Sequence, residues 1–322
     1  MPALASPALD SDVLLVLDMI RLAGRPPFEQ LTPAEAREAY MKSRAVLQPD
    51  PEPVETVRDL TCPGPHGDIP LRLYRPAGAG AAALPGLVYY HGGGWLLGGL
   101  DSHDGVCRRF ANAARCVVVS VDYRMAPEDK FPAAVDDSAA ATAWVIAQAG
   151  ALGIDPMRVA VGGDSAGGNL AAVMALMARD GDLPKLAFQL LIYPATDMAM
   201  TTVSSQTIGP GVPLTSATMK WFIDHYMRGP ADVIDWRASP IRAASLAGTA
   251  PALVLTAGAD PLRDEGVAYA ARLEREGVRT TAIHLTDQIH GFMSMGKVIR
   301  MADTAIDMMA GALRRAFIHT GT

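Results

Sequence analysis

The chain has 322 residues, 50% hydrophobic and 19% charged, with 30 glycines and 24 prolines. This ordinary globular composition excludes a disordered, collagen-like or fibrous chain. A net charge of −6, with tight basic pairs limited to Arg108-Arg109 and Arg314-Arg315, excludes the basic stripe of a nucleic-acid binder. Cys62, Cys107 and Cys116 are too few and scattered for a disulfide framework, and no Cys-x-x-Cys pair suggests zinc.

The apolar run 13–17 is short, has no basic residue before it and is flanked by Asp10, Asp12 and Asp18, unlike a signal peptide. No stretch approaches the roughly 20 apolar residues of a membrane span. The expectation is a cytoplasmic protein in a reducing compartment, with neither membrane nor nucleic acid as partner.

Residues 1–50 read as helical, with charged residues interleaved among Leu14, Leu15, Met19, Leu22, Tyr40 and Leu47 at three- and four-residue spacings. Thr32-Pro33-Ala34-Glu35 supplies a capping hydroxyl, a proline at the first helical position and an acid three residues after the cap. Pro49, Pro51 and Pro53 then stop the helix and mark a linker. Segments 54–60 and 69–74 alternate as strands do, with Pro63-Gly64-Pro65 as turn material between them. Runs 87–90, 116–121, 158–161, 186–193 and 252–256 are short and apolar, as strands buried on both faces of a mostly parallel sheet are. Helical stretches 104–115, 133–149, 166–179, 262–276 and 297–317 lie between and after them. This alternation predicts a three-layer α/β sheet with right-handed crossovers.

Residues 196–248 break the rhythm. They hold no clear strand, are too long for a structureless connection, and include a helical stretch at 215–227. We read them as an insertion that covers something.

The sharpest local signal is Gly163-Asp164-Ser165-Ala166-Gly167, between the apolar run Val159-Ala160-Val161 and an Ala-rich helix. Small residues on both sides let the chain turn sharply and hold the serine hydroxyl clear of the backbone, as a nucleophile elbow requires. The second signal is His91-Gly92-Gly93-Gly94-Trp95 after a strand. Its glycines let backbone N–H groups approach a ligand and, with the N–H of Ala166, stabilise an oxyanion. The glycine spacing matches no dinucleotide or phosphate loop, and His91 itself reads as holding the loop.

A serine nucleophile needs a base, and the base an orienting acid. Of the seven histidines, His66 sits in a turn, His225 in the insertion, His319 in the C-terminal tail, His103 after the glycines and His284 on a strand. His290 follows the last strand (280–285) in a loop free to reach the serine. For the acid, Asp260 stands at the C-terminal edge of a strand, where ligand chemistry sits in open α/β sheets; Asp264 and Asp197 compete with it. The order Ser165, Asp260, His290 is the nucleophile–acid–histidine order of α/β-hydrolases.

With Asp122-Tyr123-Arg124-Met125-Ala126-Pro127-Glu128, Gly168 and Asp260-Pro261-Leu262-Arg263-Asp264-Glu265, these motifs resemble the α/β-hydrolase superfamily, and within it the hormone-sensitive-lipase-like (bacterial family IV) carboxylesterases, from about residue 50 to the end. The resemblance implies an eight-stranded, mostly parallel sheet flanked by helices. It implies a catalytic domain of 51–195 and 249–322, with a helical cap from residues 1–50 and the 196–248 insertion. It implies Ser165 as nucleophile, His290 as base, Asp260 as its partner, and an oxyanion hole from Gly93, Gly94 and Ala166. One run departs from the family's pattern: Leu285-Thr286-Asp287-Gln288-Ile289 lacks the glycine often found shortly before the histidine, which leaves the local shape there open.

From the bottom up, residues 122–128 read as a loop that an Arg124–carboxylate contact would pin. Trp95, Met219, Trp221 and Phe292 are candidate pocket residues. The function expected is a serine carboxylesterase without cofactor or metal, acting on small-molecule esters of short to medium acyl chain. A homodimer is the oligomer common among proteins of this resemblance. The alternatives are an amidase, lactonase or lyase on the same triad, because one scaffold hosts many chemistries, and a non-catalytic ligand-binding protein.

Overall fold

The computed structural model describes residues 8–319, with side chains through residue 318. Two helices come first. In α1 (Ser11–Ala23) the Asp10 carboxylate accepts from the Asp12 amide at 2.7 Å. In α2 (Pro33–Leu47) Thr32 and Glu35 form the expected reciprocal cap, which satisfies amides that have no partner inside the helix.

The strands β1 (Thr56–Gly64), β2 (Gly67–Arg75), β3 (Leu84–Tyr90), β4 (Val117–Val121), β5 (Ile154–Asp164), β6 (Phe188–Ile192), β7 (Ala252–Ala259) and β8 (Thr280–Ile289) form one sheet in the order β1-β2-β4-β3-β5-β6-β7-β8. Pairing is antiparallel from β1 through β2 to β4 and parallel across the rest. Every residue of β4 and β6 is buried. That explains their largely apolar composition, with Ser120 and Gln189 the exceptions, since helices cover both faces. These helices are α3 (Asp104–Ala114), α4 (Ala133–Ala147), α5 (Ala149–Leu152), α6 (Ala166–Asp180), α10 (Arg263–Arg275) and α11 (Met301–His319). Two hydrophobic clusters result, one on each face.

The β6–β7 connection carries α7 (Val203–Thr207), α8 (Ser216–Tyr226) and α9 (Pro230–Val233) and contributes no strand to the sheet. Thr215 caps α8 by accepting from the Thr218 amide at 3.1 Å. Among the described residues no helix is long and apolar enough to cross a membrane.

Three local expectations need adjustment. Pro63 and Gly64 belong to β1 rather than to the turn, because their pairing with Asp68 and Gly67 continues the hairpin ladder. The helix expected over 133–149 divides at Gln148 into α4 and α5. The last strand does not stop at Leu285. It continues to Ile289 through a register shift between Ala257 and Ala259, so His290 follows the strand directly. Gly258 makes this shift possible: a Cβ there would lie 1.9 Å from the Thr286 carbonyl oxygen.

Candidate active site

The residues singled out by chemistry all follow the C-terminal ends of parallel strands. The glycine loop follows β3, Ser165 follows β5, Asp260 follows β7 and His290 follows β8. The shared strand direction therefore delivers four distant stretches of sequence to one sheet edge.

Ser165 has φ 57° and ψ −119°, a backbone conformation that non-glycine residues rarely adopt. Its neighbours must approach β3 closely. A Cβ at Gly163 would lie 2.4 Å, and one at Gly167 1.8 Å, from the Tyr90 carbonyl oxygen, which is why small residues flank the serine. The Ser165 amide donates to the Ile192 carbonyl at 2.9 Å, and its carbonyl accepts from the Asn169 amide at 3.0 Å. Both contacts hold the strained turn.

His290 Nε2 lies 2.9 Å from Ser165 Oγ, and His290 Nδ1 lies 2.7 Å from Asp260 Oδ2. The other Asp260 oxygen accepts from the Leu262 amide at 2.8 Å, and Asp260 is fully buried. A carboxylate at Nδ1 fixes the tautomer that leaves the Nε2 lone pair facing the serine hydroxyl. The competing acids are engaged elsewhere. Asp264 accepts from the Ser204 amide and pairs with Arg263, and Asp197 pairs with Arg242 at 2.9 Å.

The other histidines also have separate places. His66 is exposed in the β1–β2 turn. His225 Nδ1 contacts the Trp221 carbonyl, and His284 Nδ1 the Thr256 hydroxyl. The side chain of His319 lies outside the described residues. Arg124 meets Asp137 at 2.8 Å through Nη2, the expected pin of the 122–128 loop.

Asp164, inside the serine motif, does work that spacing did not reveal. It is buried, accepts from the Tyr89 hydroxyl at 2.9 Å and the Gly92 amide at 3.0 Å, and pairs with His103 Nε2 at 3.2 Å. Burial pushes its carboxyl up, but His103 and the Tyr89 hydroxyl outweigh this and hold it down at about 2. An ionised Asp164 thus grips the first amide of the glycine loop. His91, stacked on Tyr123 with centroids 4.4 Å apart, is fully buried, and its pKa is pushed down to about 4 by burial, then by His103. It is a neutral framework residue, in keeping with its expected loop role.

Gly93, Gly94, Ser165 and His290 line one cavity. Ala166 opens α6, so its amide is one of those with no partner earlier in the helix. The rest of the lining comes from the N-terminal helices and their link (Phe28, Tyr40, Arg44) and from the β6–β7 connection (Leu214, Met219, Phe222). Of the expected pocket residues, Trp95 and Met219 line this cavity; Trp221 and Phe292 do not. Met219 and Phe222, three residues apart, share a helix face, whereas Trp221 points elsewhere and packs on His225 with centroids 4.6 Å apart. Phe292 is wholly buried beside Tyr193, in the cluster on one side of the sheet.

A family model described as alpha/beta hydrolase fold matches residues 87–294. The chain belongs to this family. Within it, the chain falls in the hormone-sensitive-lipase-like branch. It is 43% identical over 314 residues to carboxylic ester hydrolase LipN of Mycobacterium tuberculosis, covering 95% of this chain and 82% of that one. It is 40% identical to an ethyl acetate hydrolase of Pseudomonas putida, covering 96% and 99%. The solved ester-hydrolase EH1AB1 from the metagenome of Lake Arreo, complexed with a bipyridine phosphonate derivative, superposes with a TM-score of 0.92 at 42% identity, covering 98% of this chain and 100% of that one.

Proposed function

We propose that this α/β-hydrolase cleaves small-molecule carboxylic esters through an acyl-enzyme on Ser165. The chain is a carboxylic ester hydrolase, as its relatives over nearly the whole length are. The observation that carries the mechanism is the continuous contact from Ser165 Oγ through His290 to Asp260, at 2.9 and 2.7 Å.

In this reading Ser165 Oγ attacks the ester carbonyl carbon while its proton passes to His290 Nε2. The carbonyl oxygen becomes an oxyanion, to which the amides of Gly93, Gly94 and Ala166 donate. Preorganised donors at such a position are worth about 3–4 kcal/mol each. As the tetrahedral adduct collapses, the C–O bond to the alcohol breaks and His290 returns the proton to the leaving oxygen. Water, deprotonated by the same Nε2, then attacks the acyl-enzyme and releases the acid and Ser165. Asp260 stays ionised throughout and stabilises the imidazolium. No step calls on a cofactor or a metal.

Of the expected cap segments 1–50 and 196–248, the first seven residues lie outside the described residues; residues 8–50 and 196–248 act as the cap over this site, and the lining they contribute supports that role. A cap closing on Phe28, Leu214, Met219 and Phe222 favours short to medium acyl chains.

Initial rates on p-nitrophenyl esters from acetate to palmitate, for wild type and Ser165→Ala, test the reading. A peak at short or medium chains, abolished in the variant, is expected. A folded Ser165→Ala protein that keeps more than a tenth of the wild-type rate overturns the nucleophile assignment, and a peak at palmitate overturns the chain-length assignment.

A further inference from the structure

Arg44 is a cation out of place. It lies on α2, is 7% exposed, and lines the cavity that holds Ser165 and His290. Buried arginines ordinarily meet a carboxylate, yet no ion pair of Arg44 exists among the described residues, and its Nε is enclosed without a hydrogen-bond partner. What holds the side chain is the Tyr40 ring, 4.8 Å from the guanidinium carbon, and the Ser294 hydroxyl, which accepts from Nη1. Both contacts fix the plane. They leave Nη2, which makes no hydrogen bond among the described residues and can donate to a carboxylate oxygen.

The only other charged side chains in the lining are Asp164 and His290. Asp164 is occupied by Tyr89, Gly92 and His103, and His290 is held between Ser165 and Asp260. Neither neutralises Arg44. The remaining wall is built largely of apolar side chains (Phe28, Leu214, Met219, Phe222, Met295), in which an unpaired charge is poorly solvated.

We propose that Arg44 is a specificity residue for esters that carry a second, anionic carboxylate, either in the acyl half (a monoester of a dicarboxylic acid) or in the alcohol half (an acylated hydroxy acid). This deepens the ester-hydrolase reading and rests on it. The substrate carboxylate supplies the counter-charge that the protein lacks, and pairing it to Arg44 orients the scissile carbonyl over Ser165.

The test compares matched ester pairs on wild type, Arg44→Met and Arg44→Lys. For the acyl half the pair is mono-p-nitrophenyl glutarate against p-nitrophenyl valerate; for the alcohol half it is acetoxyacetate against propyl acetate, followed by acid release. Each readout is the ratio of kcat/KM, anionic over neutral. In at least one arm the ratio should fall tenfold or more in Arg44→Met, with Arg44→Lys between the two. The arm that responds identifies which half carries the charge. A guanidinium that merely ties α2 to Ser294 would lower both members of a pair together, so ratios unchanged within twofold in both arms overturn the proposal.

Should Arg44→Met fail to fold, competitive inhibition of the wild type by glutarate is compared with that by glutaramide. Stronger inhibition by the dianion is expected, and equal inhibition overturns the proposal. Turnover of the neutral esters without either anionic one also overturns it and leaves the esterase reading standing. If no ester is cleaved, the esterase reading falls as well.

Discussion

Replacing Asp260 by asparagine isolates what the acid does from what merely fills its space. The Leu262 amide donates to Asp260 Oδ1 at 2.8 Å, and His290 Nδ1 meets Oδ2 at 2.7 Å. An asparagine must keep its carbonyl oxygen on the Leu262 amide, which can only donate, so its NH2 group lands opposite His290 Nδ1. Two donors cannot share that contact. The ring relieves the conflict by moving its proton to Nε2, where it faces Ser165 Oγ at 2.9 Å and can no longer accept the serine proton. The substitution thus removes the base by choosing the wrong tautomer and leaves packing nearly untouched. A swap of this kind costs roughly 10⁴-fold in kcat, about 5 kcal/mol of barrier. Steady-state kinetics on a p-nitrophenyl ester, with the melting temperature as control, measures it. Asp264→Asn and Asp197→Asn serve as comparators and should each cost far less, because their carboxylates bond Ser204 and Arg242. A folded Asp260→Asn enzyme slowed less than tenfold, or an equal loss in Asp264→Asn, refutes the assignment.

Other perturbations probe the loop beside the serine. In Gly94→Ala the new Cβ would lie 2.3 Å from Phe222 Cγ at a φ of +61°, so kcat/KM should fall more than tenfold, with partial recovery in the double variant Gly94→Ala/Phe222→Ala; no change in rate would show that the loop tolerates a side chain there. Asp164→Ala strips partners from the Tyr89 hydroxyl, the Gly92 amide and His103, and at about 1–3 kcal/mol for each orphaned buried group urea unfolding should register a loss of several kcal/mol; less than about 1 kcal/mol contradicts its bridging role. His91 keeps its proton off until about pH 4 when folded, whereas a free imidazole titrates near 6.5. Between those limits the unfolded chain binds more protons, so stability declines as pH drops from about 6.5 towards 4, by up to about 3 kcal/mol. His91→Gln should flatten that part of the stability–pH curve, and a wild-type curve no steeper than the variant's rules the mechanism out.

Much of this site can be read in the chain because its demands are local. A serine in a left-handed turn needs small neighbours within two residues, and Gly163 and Gly167 announce them. Apolar runs alternating with helical stretches give the sheet because its central strands, such as β4 and β6, are covered on both faces. What spacing leaves open is direction. Asp260, Asp264 and Asp197 are equivalent by type, position at a strand end favours Asp260 without deciding it, and the 2.7 Å contact with His290 separates it from the other two. Trp221 and Phe292 stand beside cavity residues in sequence but face away from the cavity, one by its place on the α8 face and the other by a 3-10 turn after Gly291. Arg44 is the converse. Within an amphipathic helix rich in charges, nothing marks one arginine as buried, since that depends on α2 folding over an opening formed by residues far along the chain.

The strain at Ser165 and the placing of the β6–β7 connection have a common support. Two buried polar side chains flank the serine. Asp164, one residue before it, holds the Gly92 amide and so ties the turn to the glycine loop. Asn169, one helical turn after it, donates to the Ala195 carbonyl at 3.0 Å and the Ala238 carbonyl at 2.7 Å, tying the same turn to two distant points of the β6–β7 connection. Each is nearly or fully buried, so loss of its partners carries a desolvation cost that solvent cannot relieve. The conformation that exposes the hydroxyl is therefore over-determined from two sides, as a strained residue must be to persist. The same contacts set where the glycine-loop amides proposed for the oxyanion and the lining from the β6–β7 connection stand relative to Oγ. In the proposed mechanism a short segment, Asp164 to Asn169, thus couples attack, charge stabilisation and substrate enclosure, and a change at either end should disturb the others before it unfolds the sheet.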